Sequence, residues 1–229
     1  GGSMISFAQF AERLARAQLK NMSAVDDTNL GEIRPDYEAT VLSLTNEALT
    51  TLSTKFPLFK LQVDLTLDPA KQEYSFDTDT SLLTMVESSQ TYDSERFIKI
   101  LNAYNSDGDE LLTDVNGHVT VPAYNRIRFT TAMLLELIEV GPKVRIRFQA
   151  RHPEITATDG IILPPNLETA LQLLVASMYI SQMNGPEHSA KGDSYYAQYL
   201  RHIGEDELQN NSSTSEIETD NRFTNRGFV

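Results

Sequence analysis

Four histidines, His118, His152, His188 and His202, are the side chains of this sequence best suited to proton transfer or metal binding, and their spacing serves neither. None falls in a pattern such as H-E-x-x-H, in which two imidazoles one helical turn apart face the same ion. Each is expected on the surface, and His202 sits beside Arg201 and Glu205 on an exposed helix face. Cysteine is absent, which removes thiolate nucleophiles, disulfides and Cys-based zinc sites together. There is no G-x-S-x-G, no phosphate-binding P-loop and no G-x-G-x-x-G. The run Asn105-Ser106-Asp107-Gly108-Asp109 has the opening of a calcium loop. The glycine such a loop needs at its sixth position is Glu110, however, and the bidentate acid at its twelfth is Asn116. An acidic hairpin turn is the expected structure. Catalysis needs polar groups that converge with partners to activate them. The sequence offers none, so the chain is expected to be no enzyme and to carry no cofactor or metal.

Charge gives a more informative pattern. The net charge is -13 and the pI about 4.7. A protein that grips nucleic acid by neutralising phosphates wants the opposite sign; an acidic wall instead repels a duplex and lets it slide. Within this acidic chain Lys143, Arg145 and Arg147 alternate with Val144, Ile146 and Phe148, so one face of that strand is basic and the other apolar. Arg126 and Arg128 repeat the pattern. These five are expected first as a solvated sheet face paired with nearby carboxylates, and in the alternative as subunit contacts, a positive face for an acidic neighbour such as another copy of the chain. A second candidate surface is the C-terminus, where a polar, acidic stretch ends in Arg222-Phe223-Thr224-Asn225-Arg226-Gly227-Phe228-Val229. Arg and aromatic residues dominate interface energetics, so Arg222, Phe223, Arg226, Phe228 and Val229 are the expected anchors of a docking arm. Residues 210–229 are expected to be disordered in the free chain and ordered on a partner.

The elements that must position these residues follow from periodicity. Helical spacing is predicted over residues 6–22, with Ser6 as cap, and over 35–55, with Pro35 in the first turn. The period changes to two at Leu61, Val63, Leu65 and Leu67. Further strands are predicted over 73–76, 96–104, 119–121, 126–130 and 143–150, making residues 58–152 an antiparallel module, with 81–86 as a helical turn. Helices return over 167–184, with Asn166 as N-cap, and over 194–208, where Tyr195, Tyr196 and Tyr199 are expected in the core. The fold class is α+β: terminal helices form one bundle (4–57 and 153–208), the β module is inserted between them, and an extended arm follows (209–229). Gly1-Gly2-Ser3 reads as a cloning scar before Met4, and no run reaches the roughly 18 apolar residues of a membrane span.

Three segments carry a resemblance to a known family: Arg34-Pro35-Asp36-Tyr37-Glu38-Ala39-Thr40, Leu163-Pro164-Pro165-Asn166-Leu167 and Ala190-Lys191-Gly192-Asp193-Ser194-Tyr195-Tyr196. With the α-β-α order, they resemble the head-to-tail adaptor proteins of podovirus-type bacteriophage tails, the tail tubular protein A group. The resemblance implies a virion protein at the head-tail interface, made in the host cytoplasm. A ring of about twelve copies beneath the portal protein would extend the DNA channel, with DNA passing without specific binding. The ring would offer a platform to the tail nozzle protein, and the C-terminal arm would reach the portal. A ligand- or carbohydrate-binding tail accessory protein is the alternative, and a hydrolase a more distant one.

Overall fold

The computed structural model describes the backbone of residues 3–225, residues 27, 30 and 88 apart, and the side chains of residues 4–205. The chain divides into two compact units, Gly1–Ala48 with Glu154–Val229, and Leu49–Pro153 between them. Helices and antiparallel strands are both present in quantity, as the α+β reading requires.

In the first unit, strand β1 (Ser3–Ser6) runs into helix α1 (Phe7–Arg16). Ser6 caps α1 reciprocally: its hydroxyl accepts from Gln9 N, and the Gln9 side chain accepts from Ser6 N. The helix stops six residues short of the predicted end. Residues 17–24 fold as turns, with Asn21 at φ +69°, a conformation Asn tolerates and a helix does not. Helix α2 (Pro35–Lys55) starts at the predicted proline and contributes its first fourteen residues here. Asn46 on α2 pairs both backbone groups of Ile155, accepting from its N–H at 2.9 Å and donating to its carbonyl at 3.0 Å.

Strand β9 (Gly160–Leu163), absent from the sequence reading, pairs antiparallel with β1, Met4 opposite Ile162. Helix α4 (Pro165–Ser181) begins at Pro165, whose missing N–H costs nothing at the first position, so Asn166 lies inside the helix and is not its cap. Its apolar residues are buried on most sides, from Leu167 through Ile180. Gly185, at φ +117°, turns the chain directly into helix α5 (Pro186–Asn225). The loop expected before residue 194 is therefore helix. Gly192 is the reason the two helices pack so closely there: a Cβ at this position would lie 2.8 Å from Ser181 Oγ. The C-terminal boundary moves too. The extended arm expected from residue 209 is α-helical backbone through Asn225, and no Gly or Pro interrupts the sequence between Glu205 and Arg226.

The second unit holds the remaining strands. A four-stranded sheet has the order β4 (Leu83–Met85), β2 (Phe59–Thr66), β8 (Lys143–Ala150), β5 (Phe97–Tyr104). A three-stranded sheet has the order β3 (Glu73–Ser75), β7 (Arg126–Phe129), β6 (Val119–Ala123). Every pairing is antiparallel. Residues 80–82 form a 3-10 turn, so only the first two residues of the helical turn predicted over 81–86 are helical, and 83–85 are strand β4. Helix α3 (Thr131–Val140) was not foreseen; Thr130 caps it through Met133 N, and Gly141 ends it. The two sheets and α3 share one apolar core. At its centre Phe76, Phe97 and Phe148 stack in a column, with centroids 4.6 Å and 5.2 Å apart. The Tyr92 ring meets Phe148 edge-on and its hydroxyl donates to the Phe76 carbonyl at 2.7 Å.

The last turn of α2 belongs to this unit and closes against the end of β8. Gln149 Nε2 donates to the Ser53 carbonyl at 2.7 Å, and His152 N–H donates to Ser53 Oγ at 3.0 Å. Ser53 is among the last carbonyls of the helix, which have no acceptor role inside it. A side chain from a strand thus supplies the helix cap.

Candidate interaction surface

Side chains directly opposite one another in an antiparallel pair lie on the same face of the sheet. On β8 that rule places Lys143, Arg145 and Arg147 beside Thr66, Asp64 and Gln62 of β2, and places Arg145 and Arg147 beside Tyr104 and Asn102 of β5. Their neighbours Val144, Ile146 and Phe148 point into the core. Lys60 and Lys99 stand across from Gln149 on the two flanking strands and extend the same face. The face therefore carries five cations and, on these three strands, the single carboxylate Asp64.

These cations are not equivalent. Arg145 is committed within the sheet: its Nε and a terminal nitrogen donate to the two Asp64 oxygens at 3.0 Å and 3.3 Å. Those hydrogen bonds and the Asp64 charge hold the guanidinium still more firmly in its charged form. Lys143 and Arg147 make no side-chain hydrogen bond or ion pair among the described residues. A recess of about 430 Å³ opens between Gln62, Asp64, Tyr104, Lys143, Arg145 and the turn at Asn105-Ser106. Ser106 Oγ donates to the Lys143 carbonyl at 3.1 Å and pins this turn to β8. Asn105 Oδ1 is occupied by the N–H groups of Asp107 and Asp109, at 3.0 Å and 2.8 Å. The run with a calcium-loop opening is thus a turn closed on its own amides.

Arg126 and Arg128 are exposed on β7, as the alternation predicts, but on the three-stranded sheet. The five candidate contact residues therefore fall on two sheets. Lys60 and Lys99 belong with the β8 row and were missed, because neither sits in an alternating basic run of its own; strand register is what brings them together. Of the C-terminal candidates, Arg222 and Phe223 fall on the helical backbone of α5, beyond the described side chains, and Arg226, Phe228 and Val229 lie outside the described residues.

Three of the four histidines contact other residues of the fold, and His188 is half-buried with Nε2 3.9 Å from the exposed Glu187 carboxylate. His152 is 5 % exposed, contrary to the expected surface placement, because its ring packs edge-on against Phe59 and Nδ1 donates to the Pro153 carbonyl at 2.7 Å. Desolvation by that burial holds its pKa below the usual imidazole range, with the Pro153 hydrogen bond opposing and Arg96 reinforcing. His202 Nε2 donates to the Asn166 carbonyl at 2.6 Å, and His118 Nδ1 lies 3.3 Å from Thr130 Oγ1. No group of three or more His, Asp or Glu side chains with metal-binding geometry occurs among the described residues. Tyr199 is buried and Tyr195 is half-buried, its hydroxyl donating to the Gln18 carbonyl at 3.2 Å, but Tyr196 is exposed rather than in the core, because it follows Tyr195 by one residue and so turns to the other side of the helix.

No protein-family model matches this chain, and no curated protein matches it. No helix among the described residues is long and apolar enough to cross a membrane.

Proposed function

We propose that this chain is a non-enzymatic structural protein of a tailed bacteriophage virion, a head-to-tail adaptor. It assembles as a ring of about twelve copies beneath the portal, extends the DNA channel and receives the tail nozzle. The observation that carries the reading is the row of cations on the outer face of the four-stranded sheet in a chain of net charge -13. Such a surface meets an acidic protein far more readily than it meets nothing, and the rest of the chain is itself acidic. The ring's lumen is net acidic or neutral, so a duplex passes without being held. In this reading the terminal helices form one bundle, and Arg222, Phe223, Arg226, Phe228 and Val229 engage the portal.

The test is cosedimentation of the full chain with portal rings, alongside Lys143→Glu/Arg147→Glu and a chain ending at residue 209. The reading expects saturable binding by the wild type, loss of attachment on truncation, and at least ~30-fold weaker assembly for the charge-reversed pair, the threshold of an interface hot spot. Wild-type attachment by both variants overturns it. So does tight, steeply salt-dependent binding of the free protein to duplex DNA.

A further inference from the structure

The β6–β7 hairpin ends in a two-residue turn, Tyr124-Asn125, between the paired residues Ala123 and Arg126. Its tip is unusual for a turn in being apolar and exposed: Tyr124 is 63 % exposed and Val121 41 %. It is also held in place. The Asn125 carbonyl accepts from Phe76 N at 2.9 Å, and the Asn125 amide donates to Asp77. Phe76 is in turn locked in the aromatic column of the core. Arg126, exposed beside Tyr124, makes no side-chain hydrogen bond or ion pair among the described residues. Pro122 removes a donor from β6, an edge strand, so the hairpin is poorly suited to strand addition and presents side chains instead. A rigid aromatic with an adjacent unpaired Arg is the composition of an interface hot spot.

The same unit carries a surface of matching chemistry. A recess of about 270 Å³ lies between Leu61, Met85 and Phe148 below and Gln90, Thr91 and Asp93 at its rim. Its floor reaches the core: Met85 and Phe148 are buried, and Phe148 ends the aromatic column. The exposed carboxylates of Glu87, Asp93 and Glu95 belong to the segment that forms the rim. Arg96, the rim's cation, already donates to the Arg151 carbonyl at 3.1 Å and 2.9 Å.

We propose that the Tyr124 hairpin tip of one copy seats in the Leu61–Met85–Phe148 recess of a second copy, with Arg126 against the rim carboxylates. This rests on the reading that copies of the chain assemble with one another. Charge complementarity selects the second copy: at the tip Arg126 is unpaired while Asp77 is engaged by the Asn125 amide, and the rim segment carries three exposed carboxylates to the one cation Arg96, itself held by the Arg151 carbonyl. The two patches differ, so the contact is heterologous and propagates from copy to copy, as a closed ring requires. The tip's Tyr ring would lie over Leu61 and Met85, with Phe148 beneath them.

The cysteine-free chain allows a direct test. Val121→Cys/Thr91→Cys, which keeps the Tyr124 anchor, is oxidised as the full chain, free and on portal rings, and run on a non-reducing gel. A ladder of covalent multimers is expected, absent from Val115→Cys/Thr91→Cys, whose Val115 is 97 % exposed and outside the proposed contact. Tyr124→Ala is expected to weaken self-association at least ~30-fold, and Arg126→Glu to do so with restoration by Asp93→Arg. No ladder in either state, a ladder equal to the control's, or a disulfide closed within one chain overturns the inference. Portal attachment is scored separately. Attachment without a ladder defeats this contact and leaves the adaptor reading standing; a ladder without attachment does the reverse.

Discussion

Gln149→Leu isolates what the strand-to-helix cap contributes. Gln149 is 2 % exposed and its amide donates to the Ser53 carbonyl at 2.7 Å. Leucine keeps most of the side-chain volume and removes the donor. The Ser53 carbonyl is then left in a dry site at the end of α2, where water cannot replace the lost hydrogen bond. An orphaned buried acceptor costs about 1–3 kcal/mol. The added apolar area returns part of that at about 25 cal/mol per Å². A net loss of about 1–2 kcal/mol is expected, or roughly 5–15 °C in Tm for a unit of about a hundred residues. Urea unfolding followed by near-UV circular dichroism should show a lower midpoint at an unchanged m value. Hydrogen exchange of the β8 amides reads the same unit without assuming that the whole chain unfolds in one step. Ser53→Ala removes the acceptor for His152 N–H and should cost a similar amount, with the double variant below the sum because both act on one clasp. An unmoved midpoint for Gln149→Leu, or a raised one, would refute the reasoning.

The remaining expectations are these. In the unfolded chain His152 takes up a proton as pH falls through about 6.5, whereas burial delays that uptake in the folded state. The unfolded form then binds more protons, so stability should be full above pH 7 and decline as pH drops through 6.5 toward the lower folded value. His152→Asn, which keeps a donor for the Pro153 carbonyl, should flatten that decline in urea titrations at pH 5 to 8. Gly192→Leu should destabilise the α4–α5 pair by about 1–3 kcal/mol through overpacking against Ser181, while Gly192→Ala should be near neutral, because the Ser181 hydroxyl can rotate away and helix propensity improves by about 1 kcal/mol. Asp64→Asn should cost only about 0.2–1 kcal/mol, since Arg145 is half exposed, and the loss should vanish in 1 M salt.

Sequence reached the strands best where apolar and polar residues alternate, as in Leu61–Leu67 and Val144–Phe148, because a half-buried strand has no other way to satisfy both its faces. Helix starts were legible at Ser6 and Pro35 for local reasons of capping and fixed φ. At Pro165 the same proline rule was available but lost to Asn166, a better side-chain cap that the chain does not use. Helix α3 carries its signals openly, Thr130 before it and Gly141 after, but the strand patterns on both sides place it inside the β module. The pairing of β1 with β9 could not be seen, since four-residue strands far apart in sequence carry no local period. The basic row of β8 was visible; its completion by Lys60 and Lys99, and the neutralisation of Arg145 by Asp64, depend on register, which alternation alone does not fix. The exposed Tyr124 tip had no periodic signal.

The β1–β9 ribbon has a consequence for the order in which the chain can acquire structure. Ser3 pairs with Leu163, so β1 must wait for a partner that follows the whole inserted unit in the chain. At about 5–20 residues per second of synthesis, that wait is on the order of 10–30 s. Before Leu163 is made, Leu49–Pro153 is already complete as a continuous segment, while the buried face of α1, Phe7, Phe10 and Leu14, has no α4 to cover it. The inserted unit then shortens the effective loop that the ribbon must close, from a flexible chain to two ends leaving one folded body, and lowers the entropy of that closure. The ribbon is therefore a contact that only a nearly complete chain can make, although one of its two strands lies near residue 1.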